Sequence, residues 1–233
     1  MPVLYNRWID YDYNFGDLHL SEVLQSKVSK EHLGYVYDFI YPFRFDSRIL
    51  MWDLCNEPCH YPDICKNPII EQAFRDREAA FWTEIFHTAK KAEPTQPITI
   101  GFGGSTSFNP PELYDLVDVI SFHPYMEWRN DGFKNHVDSY IALANDKNKP
   151  LICTETVQGS LSDLTRKACI ENSIGTLKQS NIGWYAFQLC EGEMVSARRD
   201  RTDANSVPND RGYFSFVYKD GSIRKGHEVI KDF

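Results

Sequence analysis

No stretch of this 233-residue sequence approaches the ~18 consecutive apolar residues that a membrane helix needs. It has no excess of positive charge either. Its 25 Lys and Arg stand against 33 Asp and Glu, a formal charge of −8 that argues against a nucleic acid or an anionic membrane as partner. The start, Met1-Pro2-Val3-Leu4-Tyr5, lacks the basic region, apolar stretch and small-residue cleavage site of a signal peptide. The protein is therefore intracellular or has lost a leader, and the cytoplasm is the expected compartment. Cysteine is too sparse for a disulfide framework, with six residues in a chain of this length. Cys55, Cys59, His60 and Cys65 have loose zinc-like spacing that fits no familiar finger, so they read as loop thiols, with no metal and no cofactor expected. Internal repeats, low-complexity segments and linkers are also missing, which leaves residues 1–233 as one domain.

What is present is a chain long enough for a sizeable core, 42% apolar and 14% aromatic. The order is strand, then helix, repeated, the pattern of a parallel α/β sheet. The strands read as Pro2 to Arg7, Ile49 to Leu54, Pro97 to Phe102, Val117 to Phe122, Leu151 to Thr154 and Ile182 to Leu189. Helical spacing marks residues about 20 to 42, with Leu20, Val23, Leu24, Val28, Leu33, Val36, Tyr37 and Ile40 on one stripe. Asn67-Pro68 opens a second helix that ends near Glu93-Pro94. Shorter helices follow Asn109-Pro110-Pro111 and cover Lys134 to Asn145, and Ser162 caps another running to about Gln179. The tail differs: Glu191 to Arg211 is charged and irregular, Phe214 to Ile223 reads as a hairpin around Lys219-Asp220-Gly221, and a short terminal helix follows.

Several strand ends carry polar groups together. Asn56 and Glu57 follow one apolar run, His123 and Tyr125 another, Glu155 a third, and Gln188 to Glu191 close the last. In parallel α/β folds the carboxyl ends of the strands form the active face. Two carboxyl groups there are the usual apparatus for breaking a glycosidic bond. Each residue also has a structural reading: Glu57 as a solvated cap, His123 as a satisfied buried histidine, Tyr125 as loop packing, Trp184 as core. Arg198, Arg199 and Arg201 read as a solvated charged loop.

The residues resemble a known family. Trp52-Asp53-Leu54-Cys55-Asn56-Glu57-Pro58 is similar to the fourth-strand signature of retaining TIM-barrel glycoside hydrolases, the clan of cellulases, β-mannanases and β-galactosidases that includes glycoside hydrolase family 5. Phe122-His123-Pro124-Tyr125 resembles the sixth-strand motif of that clan. Ile152-Cys153-Thr154-Glu155-Thr156 resembles its seventh-strand nucleophile motif, and Gly183 to Leu189 its eighth strand. The resemblance implies that Glu57 is the general acid/base and Glu155 the nucleophile of a retaining β-glycosidase acting on β-linked hexosides or short oligosaccharides. Carboxyl groups about 5–5.5 Å apart repel as anions, which favours a proton on the acid until the nucleophile is consumed. By the same resemblance Asn56 contacts the sugar 2-hydroxyl, Tyr125 holds Glu155, and His123 orients the carboxylates or touches substrate. Trp8, Trp128, Trp184 and Glu191 complete the expected substrate-binding set.

The sequence departs from the family in one respect. Glu57 ends the second readable strand rather than the fourth, so the expected fold is an incomplete (β/α) barrel. It would have about six parallel strands, equivalent to strands 3–8, plus the C-terminal hairpin and short helix. At about thirty residues per unit, roughly sixty residues are missing at the front. No residue matches the family's second-strand arginine, and the eighth-strand tryptophan is replaced by Phe187 or displaced to Trp184. A sheet open at its edge exposes unpaired backbone, so a homo-oligomer covering that edge is expected. Two alternatives stand beside the enzyme: a carbohydrate-binding pseudoenzyme, and a fragment of a longer endo-acting cellulase or mannanase.

Overall fold

The computed structural model describes residues 1–6, 27–59, 68–125, 131–160, 162–190 and 215–233. Strands and helices alternate: β1 (Val3–Asn6), α1 (Lys30–Ile40), β2 (Trp52–Asn56), α2 (Pro68–Lys91), β3 (Ile98–Gly103) and α3 (Pro111–Leu116). They continue as β4 (Ile120–His123), α4 (Gly132–Lys147), β5 (Leu151–Thr156), α5 (Asp163–Gln179) and β6 (Gly183–Ala186), with a terminal 3-10 turn at Glu228–Asp232. The six strands form one parallel sheet in chain order, β1 through β6. Among the described residues no helix is long and apolar enough to cross a membrane. The chain divides into two compact units, Met1–Ser121 with Ala142–Pro150, and Phe122–Ile141 with Leu151–Phe233.

In the first unit β2 and β3 are buried almost throughout, as strands covered on both faces must be. α2 packs on them with Phe81, Trp82, Ile85, Phe86 and Ala89. The polar atoms of the large rings are matched: the Trp52 indole donates to Gln96 at 3.2 Å and the Trp82 indole to Glu78 at 3.1 Å. Lys149 donates to the carbonyls of Tyr114, Asp115 and Val117 and so closes the C-terminus of α3.

In the second unit α5 lays Ile170 and Ile174 against Val157, Phe216 and Val229, and Trp184, Ala186 and Ile230 pack onto that cluster. Arg166, buried on α5, donates to the Ser160 and Lys225 carbonyls and pairs with Asp163. That side chain therefore ties the C-terminal segment to the helix. Residues 215–223 form the expected turn, with Tyr218 donating to the Ser222 carbonyl and Gly221 at φ 83°, a conformation glycine adopts at no steric cost.

The boundaries shift for physical reasons. The first helix starts at Lys30 rather than near 20, because the Ser29 hydroxyl accepts the His32 amide at 3.2 Å and caps it there; residues 20–26 lie outside the described set. β2 runs on through Asn56, since β1 offers Asn6 as its partner. β4 begins at Ile120, because the Val117 amide still closes α3 on Leu113. β6 stops at Ala186, and the Gln188 and Leu189 carbonyls instead accept the Phe216 and Val217 amides.

Candidate active site

The first unit carries Asn56 and Glu57. β2 and β3 pair Asp53 with Thr99 and then Asn56 with Gly101, so four residues on one strand span the same stretch as three on the other. Such a bulge re-aims the side chains beyond it. Glu57 sits in the left-handed region at φ 47°, and its amide donates to the Gly101 carbonyl at 2.8 Å. A residue with a side chain adopts that backbone only where its surroundings impose it, at a cost of about 1–3 kcal/mol. Gly103 provides the clearance: a Cβ there would lie 3.1 Å from Cγ and Cδ of Glu57. The Asn56 amide donates to Oδ1 of Asn6 at 3.2 Å, which fixes the amide plane beside the strand end.

The second unit carries His123, Tyr125 and Glu155. The Tyr125 hydroxyl donates to Oε1 of Glu155 at 2.8 Å. Nδ1 of His123 stands 3.9 Å from Oε2 of the same carboxylate, with the imidazole buried and Glu155 19% exposed. The other imidazole nitrogen, Nε2, shares a hydrogen bond with the Thr154 hydroxyl at 3.0 Å. Thr156 donates to the Pro124 carbonyl at 3.0 Å, which fastens the segment bearing Tyr125 to β5. A phenol donor on one oxygen and an imidazole facing the other suit an ionised carboxylate. Cys153, one turn of the pleat earlier, is buried, and desolvation pushes its thiol well above the ordinary range, so it acts as packing.

The structure therefore gathers His123, Tyr125 and Glu155 around one carboxylate, and Asn56 and Glu57 at the end of β2. Trp184 packs against the apolar cluster on α5. Trp8, Trp128 and Glu191, and likewise His60, Cys65 and the arginines 198, 199 and 201, lie outside the described residues. Cys55 and Cys59 are buried thiols outside any disulfide. Sequence reasoning missed Asp53, whose Oδ1 accepts two backbone amides, and Thr154, the partner of His123. Asp53 left a signal, a charge inside the apolar run Leu50-Met51-Trp52-Leu54; Thr154 left none, since a threonine suits any strand.

No family model matches the chain, and no curated protein matches it by sequence. Among solved structures it is similar to a β-D-glucuronidase from Dictyoglomus thermophilum, at 15% identity and a TM-score of 0.65. The match covers 87% of this chain and 34% of that one. It is similar to the hyperthermostable endo-1,4-β-D-mannanase of Thermotoga petrophila at 18% identity and a TM-score of 0.65, over 99% of this chain and 74% of that one. An exo-β-1,4-mannosidase from an Opitutaceae bacterium matches at 14% identity and a TM-score of 0.62, over 91% of this chain and 41% of that one. This chain thus spans about a third of the first of these glycoside hydrolases. At such identities the likeness is one of fold: six parallel strands alternating with helices, an incomplete TIM-type barrel of the kind these enzymes are built on.

Proposed function

We propose that the chain is a retaining β-glycosidase acting on β-linked hexosides or short oligosaccharides, with Glu155 as nucleophile and Glu57 as acid/base. The observation that carries this reading is the hydrogen bond from Tyr125 to Glu155, which suits a strand-end carboxylate kept as an anion. The fold likeness to glycoside hydrolases supports the reaction class.

In this scheme Glu155 attacks the anomeric carbon while Glu57 gives its proton to the departing oxygen. The glycosyl ester formed on Glu155 removes one negative charge, and Glu57, now ionised, takes a proton from water as that water displaces the ester. Asn56 binds the sugar 2-hydroxyl, a contact that strengthens as the transition state flattens the ring. Trp8 and Trp128 are the proposed stacking surfaces and Glu191 a hydroxyl acceptor, while Trp184, packed on the α5 cluster, takes its core reading.

A panel of nitrophenyl β-glycosides tests the reading. Glu57→Gln and Glu155→Gln are each expected to abolish turnover, and the sugar first released from the parent is expected to be the β-anomer. Retention requires carboxyl groups about 5–5.5 Å apart, so release of the α-anomer would remove the double displacement. Turnover persisting in Glu155→Gln would remove the nucleophile assignment. Sugar binding without turnover in the parent would assign the chain to the pseudoenzyme alternative.

A further inference from the structure

Asp53 is a carboxylate inside a strand where its neighbours are apolar. It is 1% exposed, and Trp52 and Leu54 on either side are fully buried. Burial of a carboxylate is unfavourable unless hydrogen bonds replace the lost water. Here Oδ1 accepts the amide of Cys55 at 3.1 Å and the amide of Gly101 at 3.0 Å.

Those two amides belong to the place where the β2–β3 register slips. A slip of one residue takes backbone donors out of the ladder, and a buried donor needs another acceptor. The Asp53 carboxylate supplies it. Gly101 is then held at both ends, its amide by Asp53 and its carbonyl by the Glu57 amide at 2.8 Å. The path Asp53–Gly101–Glu57 is continuous, and it ends on the residue held at φ 47°.

Resting on the reading of Glu57 as acid/base, the geometry points to Asp53 as a positioning residue for that carboxyl. Asp53 acts through the bulge: its two accepted hydrogen bonds fix where β2 slips past β3. The slip fixes the backbone from which the Glu57 side chain departs. A length-preserving strand without that acceptor would leave Gly101 free to shift, and Glu57 with it.

The test compares Asp53→Ala, which removes the acceptor, with Asp53→Asn, which keeps an Oδ1 without the charge. Kinetics on a nitrophenyl glycoside turned over by the parent are normalised to folded protein, and the backbone amide resonances of Cys55, Glu57 and Gly101 are read by NMR. Asp53→Ala is expected to lower kcat on the order of 100-fold with KM within about threefold, since sub-ångström misplacement acts on the chemical step. Asp53→Asn is expected to recover kcat to within about tenfold of the parent, and the Glu57 amide resonance is expected to move in Asp53→Ala but little in Asp53→Asn. A kcat for Asp53→Ala within about twofold of the parent, or a Glu57 resonance left in place, overturns the proposal. Should Asp53→Ala not fold, Asp53→Thr, whose hydroxyl can accept one of the two amides, carries the same comparison with the same overturning result. A parent that turns over no glycoside removes the glycosidase reading alone. The Glu57 resonance then still decides the role of Asp53.

Discussion

Replacing Tyr125 by Phe deletes one oxygen and keeps the ring. The deleted atom is the donor 2.8 Å from Oε1 of Glu155. Hydrogen bonds to charged groups contribute about 1.5–3 kcal/mol, and a tenfold rate change corresponds to about 1.36 kcal/mol. The loss therefore lies between about 10-fold and about 150-fold if the contact is kept up to the transition state. Two effects oppose each other. Without the phenol the proposed nucleophile is more basic, but it also loses the donor that orients Oε1. Nδ1 of His123 faces the other oxygen, Oε2, from 3.9 Å, beyond hydrogen-bond distance. Orientation is therefore expected to win, and Tyr125→Phe should reduce kcat/KM by at least about tenfold. The assay is initial-rate kinetics on nitrophenyl glycosides, with thermal melting to establish an intact fold. A change below about twofold in a well-folded variant would refute the reasoning, because the hydroxyl would then do nothing for the nucleophile.

Other outcomes follow from contacts elsewhere. Gly103→Ala places a Cβ 3.1 Å from Glu57 Cγ and Cδ, so kcat is expected to fall about tenfold while the melting temperature changes little; unaltered kinetics would show that Glu57 has room to spare. Thr154→Val removes the hydroxyl bonded to Nε2 of buried His123 and should cost about 1–3 kcal/mol in urea denaturation, whereas Thr154→Ser should retain most of the stability. His136, packed beside the stacked Phe122 and Tyr140 rings, is pushed down to about 4 by burial, and His227 down to about 3 by burial and by the charges of Arg166 and Arg224. Both imidazoles are neutral when folded, so their contribution is complete above the unfolded value of about 6.5 and is lost as pH falls toward those lowered values. Urea midpoints measured from pH 7 to pH 4 should fall, and His136→Phe should flatten that slope by about one proton's worth, about 1.4 kcal/mol per pH unit. Self-association is read by sedimentation equilibrium, where a concentration-independent monomer would remove the expected homo-oligomer.

The alternation of elements was legible in the sequence because parallel strands covered on both faces are nearly continuous apolar runs, as in Ile98–Gly103, where only Thr99 is polar. Helix limits were legible where a cap was local: Ser162 accepts the Thr165 amide at 3.3 Å, as its position before Asp163 suggests. The break before Lys30 was not read because apolar spacing continued upstream of Ser29, and spacing alone does not reveal which serine caps. Tyr125 and Glu155 were paired by motif, and they meet. Other polar supports were less readable: Asp53 showed as a charge in an apolar run, but its partners did not. Asp53 and Thr154 act on residues 48 and 31 positions away, and no local pattern encodes a contact across strands.

The slipped register occurs twice. On β2 the four residues Asp53 to Asn56 span three on β3, and on β5 the four residues Cys153 to Thr156 span three on β6. Side chains along a strand alternate between faces, so the extra residue inverts the parity of everything after it. Length within these two strands is therefore as much a part of the proposed site as the carboxylates. Deleting one residue between Asp53 and Asn56, or between Cys153 and Thr156, would turn the following side chain to the opposite face while leaving the composition intact. For the proposed glycosidase, grafts intended to alter sugar preference belong beyond these points, in the connections after Glu57 and after Thr156.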